Sequence, residues 1–248
     1  MTELVLKGLV LRTADYKESS RILTVLTDTR GKITVSARGA TRAKSRIAAA
    51  CQPFAFSEMS LTESRDRYYL NAASTIELFT GLTADLASYA LGCYFLELLD
   101  AACPETAEEP EALSLGLNAL WLLAEGKKSP ALMKSAFELR LMSLLGYRPE
   151  LERCGACGEE MPEEPVMDLR GGALFCRDCA REHALRPHAM DAAALAAARH
   201  IVGAEHARVF AFSLAEKPLR RLENVAEGYV HEQLERRFHT LDYYKSLR

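Results

Sequence analysis

The sequence predicts an α+β multidomain fold: a small closed β-barrel, then an all-helical domain into which a four-cysteine zinc module is inserted. Three observations predict it. Short aliphatic strands crowd residues 1–80, helical spacing of apolar residues starts after Gly81, and Cys154, Cys157, Cys176 and Cys179 interrupt that spacing at metal-ligand intervals.

The strand candidates come first. Leu4-Val5-Leu6 with Leu9-Val10-Leu11, then Ile22 to Thr27, then Lys32 to Ser36 are rich in β-branched and aliphatic residues. Asp28-Thr29-Arg30-Gly31 supplies a hairpin connection, with Gly31 free to take positive φ. After Pro53, Phe54 to Met59 alternates and Tyr68-Tyr69-Leu70 makes a fifth strand. Five short strands favour a closed barrel over an open sheet, whose edges need covering.

Helices follow. Leu82, Leu86, Tyr89, Ala90, Cys93, Leu96 and Leu99 recur at steps of mostly three and four, stopping at Pro104 in an acidic linker. Leu113–Leu123 is a second helix. Ser129 and Pro130 open a third, which runs through Phe137 to Leu145 and ends at Gly146. Asp191 caps an Ala-rich helix to Val202, and one last helix is expected from Pro218 to about Leu241. The predicted domains are residues 1–80 and 81–248, with the zinc module at about 150–183.

Composition excludes whole classes. The 248 residues are 49% hydrophobic and 26% charged, enough for a core, and no apolar run nears the roughly 18 residues of a membrane span. With no secretory signal pattern at the N-terminus, the expected compartment is the cytoplasm. The net charge of −3 hides an asymmetry, because residues 1–80 hold 12 Lys and Arg against 8 Asp and Glu. One end can attract phosphate; the other cannot.

The sharpest motif is Cys154-Gly-Ala-Cys157 and Cys176-Arg-Asp-Cys179, separated by 18 residues. Each pair turns two sulfurs toward one ion, and a tetrahedron of four thiolates leaves no open position for substrate, so one structural Zn²⁺ is expected. A redox dithiol is the alternative, but its βαβ context is missing. A zinc deaminase needs an upstream His-x-Glu, and none precedes Cys154. His183 reads as a helix-surface residue, and Cys51, Cys93 and Cys103 as small core residues.

Between Arg30 and Arg46 stand six cations and no acid: Arg30, Lys32, Arg38, Arg42, Lys44 and Arg46. Either this is a solvated loop or it is a phosphate-docking stretch, and a small barrel, whose groove stacks bases between cations, favours docking. Tyr68 and Tyr69, beside Arg65 and Arg67, are the stacking candidates; Phe54 and Phe56 read as core. Catalytic signatures are absent: no Walker A loop, no G-x-S-x-G elbow and no nuclease-like carboxylate cluster.

Taken together, the segments Gly8-Leu-Val-Leu-Arg12, Tyr16-Lys-Glu-Ser-Ser-Arg-Ile-Leu-Thr24, Ala37-Arg-Gly-Ala-Thr-Arg-Ala-Lys-Ser-Arg46 and Gln52-Pro-Phe54 resemble the bacterial RecO family of recombination mediators. So do Phe137-Glu-Leu-Arg-Leu141, Leu145-Gly-Tyr-Arg-Pro149, the four cysteines and the tail Leu234-Glu-Arg-Arg-Phe-His-Thr-Leu241. The resemblance implies that the barrel is an OB-fold and that the protein binds single- and double-stranded DNA and anneals strands without being an enzyme. It further implies contacts with RecR and with the C-terminal tail of the single-stranded-DNA-binding protein, loading of RecA onto coated DNA in repair and recombination, and a place at the bacterial nucleoid. The expected DNA-binding residues are Lys32, Arg38, Arg42, Lys44, Arg46 and Tyr68. Two rivals stand beside this reading: a thiol or zinc enzyme, and a zinc-ribbon adaptor that binds only proteins.

Overall fold

The computed structural model describes residues 2–105, 107–185 and 188–247. It is a mixed α+β structure with an N-terminal sheet followed by helices. Among the described residues, no helix is long and apolar enough to cross a membrane. The chain packs as two units, Met1–Glu125 with Phe238–Arg248, and Gly126–Arg237.

The first unit holds five strands: β1 (Thr2–Tyr16), β2 (Ser20–Thr27), β3 (Lys32–Ala37), β4 (Phe56–Ser64) and β5 (Arg67–Glu77). β1 is long enough to serve two neighbours. Its first half pairs antiparallel with β4 and its second half with β2, and a register shift between Val10 and Arg12 lets it bend between them. The order β1-β2-β3-β5-β4 therefore closes on itself, sealed by a short parallel join of Val35 to Tyr68 and Ser36 to Tyr69. Period-two alternation fills the interior: Ile33, Val35 and Ala37 of β3 face Leu6, Val25, Met59 and Leu61 in one buried cluster. The β2–β3 connection turns at Gly31 (φ 60°), where a Cβ would also strike the backbone of Ala107. Phe54 departs from its expected strand. Its φ of 72° takes it out of the alternation, and its ring lies 5.4 Å from that of Tyr89.

Among the described residues, this unit also holds three α-helices: α1 (Leu86–Ala102), α2 (Pro110–Ala124) and α7 (His239–Ser246). Asp85 caps α1 by accepting from the Ser88 N–H at 2.8 Å. The sheet ends at Glu77, while the packing unit runs on to Glu125 and takes back the C-terminal segment.

The second unit contains α3 (Pro130–Leu144), the hairpin β6 (Val166–Asp168) and β7 (Ala173–Phe175), then α4 (Arg177–Glu182), α5 (Ala192–Gly203) and α6 (Glu216–Leu234). Asp191 caps α5 as its sequence suggests, accepting from the Ala194 N–H at 2.8 Å. Ser129 precedes α3 without a side-chain capping bond. On α6, Leu222, Val225, Ala226, Tyr229 and Val230 form the buried stripe. The single helix expected from Pro218 to Leu241 is two. Glu235 turns left-handed (φ 49°), so that Phe238 can bury its ring edge-on to Tyr94 at 5.5 Å and α7 can start anew. Glu97 of α1 then accepts from the Thr240 N–H at 3.1 Å and from its hydroxyl, doing for α7 what the apolar N-cap residue Phe238 cannot.

Candidate functional site

A cleft of about 620 Å³ opens on the barrel where the β1–β2 turn, the end of β3 and the β4–β5 turn converge. Its lining includes the cations Lys17, Arg38, Arg42 and Arg67, the rings of Tyr16, Tyr68 and Tyr69, and the small polar residues Ser19, Ser20, Thr34 and Ser36. Strand geometry decides how the two adjacent tyrosines are used. Successive residues of β5 face opposite sides, so Tyr68 packs against the barrel interior, while Tyr69 lies under the Arg38 guanidinium at 5.4 Å. A second such pair stands across the cleft, Lys17 over the Tyr16 ring at 5.2 Å. Arg38 and Tyr69 also border a neighbouring hollow of about 380 Å³ with Thr62 and Asn71, so the groove continues along β4 and β5.

Of the six expected residues, the cleft brings together Arg38, Arg42 and Tyr68. Lys44 and Arg46 are exposed on the loop that follows, outside its lining. Lys32 sits apart from them. It starts β3 whereas Arg38 follows the strand's far end, about 20 Å away at the usual rise per residue. Its side chain is 11% exposed, and its ammonium donates to the Asp100 carbonyl and pairs with the Asp100 carboxylate at 3.4 Å, which Arg12 also holds at 3.3 Å. Lys32 therefore ties the barrel to α1. Tyr16 and Lys17 line the cleft without being among the expected DNA-binding residues, although the sequence shows an aromatic-cation pair beside the polar turn Glu18-Ser19-Ser20.

In the second unit the sulfurs of Cys154, Cys157, Cys176 and Cys179 all lie within 4.8 Å of one another. Cys157 Sγ and Cys176 Sγ are 3.8 Å apart, matching the edge of about 3.8 Å for a tetrahedron with metal–sulfur bonds near 2.3 Å. The first knuckle is shaped by its backbone. Gly158 donates to the Cys154 carbonyl at 3.0 Å, the Cys154 N–H donates to Glu159 at 2.7 Å, and Gly155 donates to Leu174 of β7 at 2.8 Å. Burial alone would raise the Cys154 thiol, but N–H groups of Cys157, Cys176 and Ala156 aimed at its sulfur outweigh that and bring it down to about 6. Cys179 is pushed up, by its hydrogen bond with Cys176 first and by burial second. Four crowded thiols cannot all ionise without a cation among them, so this donor set fits a thiophilic metal ion. His183, at the C-terminus of α4, lies against the Phe175 ring at 5.7 Å. Cys51 and Cys103 are buried, their thiols raised mainly by desolvation to about 11 and about 12.

Together these features define an α+β protein with a cation-lined cleft on a closed sheet and a four-cysteine cluster able to hold a metal ion. Two family models, described as Recombination protein O N terminal and Recombination protein O C terminal, match residues 1–79 and 83–242. The chain is 29% identical over 249 residues to the DNA repair protein RecO of Acetivibrio thermocellus, covering 100% of this chain and 98% of the relative. It is 30% identical over 250 residues to that of Symbiobacterium thermophilum, covering 97% and 96%, and 37% identical over 177 residues to that of Desulforudis audaxviator, covering 70% and 69%. The chain belongs to the RecO family of DNA repair proteins.

Proposed function

We propose that this protein is a non-enzymatic recombination mediator that binds single- and double-stranded DNA, promotes strand annealing and, with RecR, helps load RecA onto DNA coated by the single-stranded-DNA-binding protein. The observation that carries the reading is the barrel cleft, lined by four cations, Lys17, Arg38, Arg42 and Arg67, against one acid, Asp66, with Lys17 over the Tyr16 ring and Arg38 over the Tyr69 ring. Cations follow a sugar-phosphate backbone and aromatic faces accept bases without regard to sequence. Annealing then needs no catalytic group, because screening two polyanions is enough to hold them close. The strand order β1-β2-β3-β5-β4, closed by β1, supports reading the barrel as an OB-fold.

Residues 1–80 are assigned to nucleic acid. Residues 81–248, with the metal module at about 150–183, are assigned to protein partners, including the tail of the coating protein. Within the DNA site we place Arg38 and Arg42 in the groove, Lys44 and Arg46 on its approach, Tyr69 as the stacking ring and Tyr68 as its support. The four cysteines are assigned one structural zinc, whose chemistry when bound is to cross-link the two knuckles. The bacterial cytoplasm, at the nucleoid, is the setting this activity requires.

The test is a fluorescence titration of a labelled oligonucleotide at two salt concentrations. Micromolar or tighter binding that weakens steeply with salt is expected; the absence of binding at low salt would leave only the adaptor or enzyme readings.

A further inference from the structure

Arg199, on α5, stands outside the four-cysteine cluster but makes four polar contacts to the chain around its first pair of sulfurs. Its Nε donates to the Leu151 carbonyl at 2.8 Å, and one terminal nitrogen donates to both the Glu152 and Glu160 carbonyls at 2.7 Å. The other terminal nitrogen reaches Met161 Sδ at 3.3 Å. These carbonyls lie on either side of the Cys154-Gly-Ala-Cys157 knuckle, two of them before it and one after. A single planar guanidinium thus closes the base of the loop that carries the first two sulfurs.

The second pair of sulfurs is anchored elsewhere. Gln233 of α6 donates to the Leu169 and Arg170 carbonyls at 2.7 and 3.1 Å, in the turn of the β6–β7 hairpin that leads into Cys176. Tyr229 of the same helix donates to Tyr147 at 3.1 Å, and Gly172 crosses so closely over that phenol that a Cβ would lie 2.8 Å from its oxygen. One limb of the cluster is therefore tied to α5 and the other to α6. The limbs are also joined directly, by Gly155 N–H to the Leu174 carbonyl at 2.8 Å and by Cys176 N–H to Cys154 Sγ at 3.3 Å, and the helix contacts add a second restraint on their spacing.

We propose that Arg199 is a positioning residue for the four-cysteine site, clamping the Cys154/Cys157 limb at the distance at which it shares a metal ion with Cys176 and Cys179. The inference rests on the reading of the cluster as a zinc site. The side chain is suited to it, because a rigid fork of N–H donors serves several carbonyls in fixed relative directions, whereas an ammonium on a flexible stem does not. Groups that hold ligands in place without touching the metal commonly set its retention by about 10–100-fold.

The experiment uses the full chain loaded with zinc, and in parallel with cobalt, in wild type, Arg199→Ala, Arg199→Lys and Arg221→Ala. Zinc transfer to a chromogenic chelator gives the release rate, and the cobalt absorption bands report tetrahedral thiolate geometry. Arg199→Ala is expected to release zinc about 10–100-fold faster and to broaden or shift the cobalt bands, with helical circular dichroism retained and Arg199→Lys intermediate. Arg221, which pairs with Asp191 at the start of α5 at 3.1 Å, controls for general loosening of that helix and is expected to release zinc at the wild-type rate. Wild-type release with an unchanged cobalt spectrum in both Arg199 variants overturns the proposal. So does equal acceleration in Arg221→Ala. Should Arg199→Ala fail to fold, a wild-type rate in Arg199→Lys overturns it alone. A wild-type chain that takes up neither metal refutes the zinc reading itself, a different result.

Discussion

Lys134 and Glu138, one turn apart on α3, form an ion pair of 2.9 Å with 1% and 0% of their side chains exposed. Glu227 of α6 approaches the same ammonium at 3.0 Å, so one cation joins two helices inside the second unit. Burial pushes the lysine toward neutrality, but the two carboxylates outweigh it and its affinity for a proton rises above the ordinary value.

Removing the cation while leaving Glu138 behind is therefore expected to be severe. Lys134→Ala should cost about 3–5 kcal/mol, whereas replacing Lys134 and Glu138 together by Met and Leu should cost much less. Urea unfolding of both variants measures the difference. Because the folded-state proton affinity is raised, this contribution is fully present below the unfolded lysine value of about 10.4 and is lost as pH rises beyond it. Stability followed from pH 8 to 11.5 should fall more steeply in the wild type than in the double variant.

The last helix predicts a second loss. Phe238 is fully buried against Tyr94, and truncating a ring in such a position costs about 3–5 kcal/mol. Phe238→Ala should therefore lower the denaturant midpoint and deprotect α1 amides to hydrogen exchange. Unchanged exchange in α1 would mean that α7 contributes little to the packing there.

For the cleft, single-strand binding should separate Lys32 from the other cations. Replacing Arg38, Arg42 and Arg67 together by Ala is expected to reduce the log–log salt slope by about 2, at roughly 0.7 per lost phosphate contact. Lys32→Ala should leave that slope unchanged and lower stability instead. Tyr69→Ala should weaken binding by about 1–3 kcal/mol, and Tyr68→Phe should scarcely matter to affinity. Oligonucleotide titrations across a salt series decide each case.

Metal removal makes the fourth prediction. Stripping the ion from the loaded protein should render four additional thiols reactive and abolish exchange protection between about residues 150 and 183, while amides of Val25 and Val35 in the barrel stay protected. Loss of barrel protection at the same chelator concentration would contradict an architectural role confined to the second unit.

Much of this was legible because the signals were local. β-Branched and aliphatic composition marked β2 and β3, Asp191 announced α5, and four cysteines at fixed intervals announced their own meeting. What stayed hidden depended on distant partners. Arg65-Asp66 carries none of the glycine or asparagine that marks a two-residue turn, yet both residues are left-handed (φ 51° and 57°) between β4 and β5. Charge counting treated Lys32 and Arg38 as equals, because the composition of a segment says nothing about which end of a strand faces Asp100. The break at Glu235 was invisible for the same reason: helical spacing continues through it, and only the pocket beside Tyr94 explains why the chain turns. Arg199 carried no mark in the sequence, because the carbonyls it serves lie 39 to 48 residues away.

The return of residues 238–248 to the unit begun by residues 1–125 has a kinetic corollary. During synthesis, the β-rich portion leaves the ribosome before Phe238 and Leu241 of its own packing unit have been added. The intervening 126–237 segment can assemble as soon as its own end has left the ribosome. A nascent chain stalled before Phe238 thus leaves a ring-sized vacancy beside Tyr94.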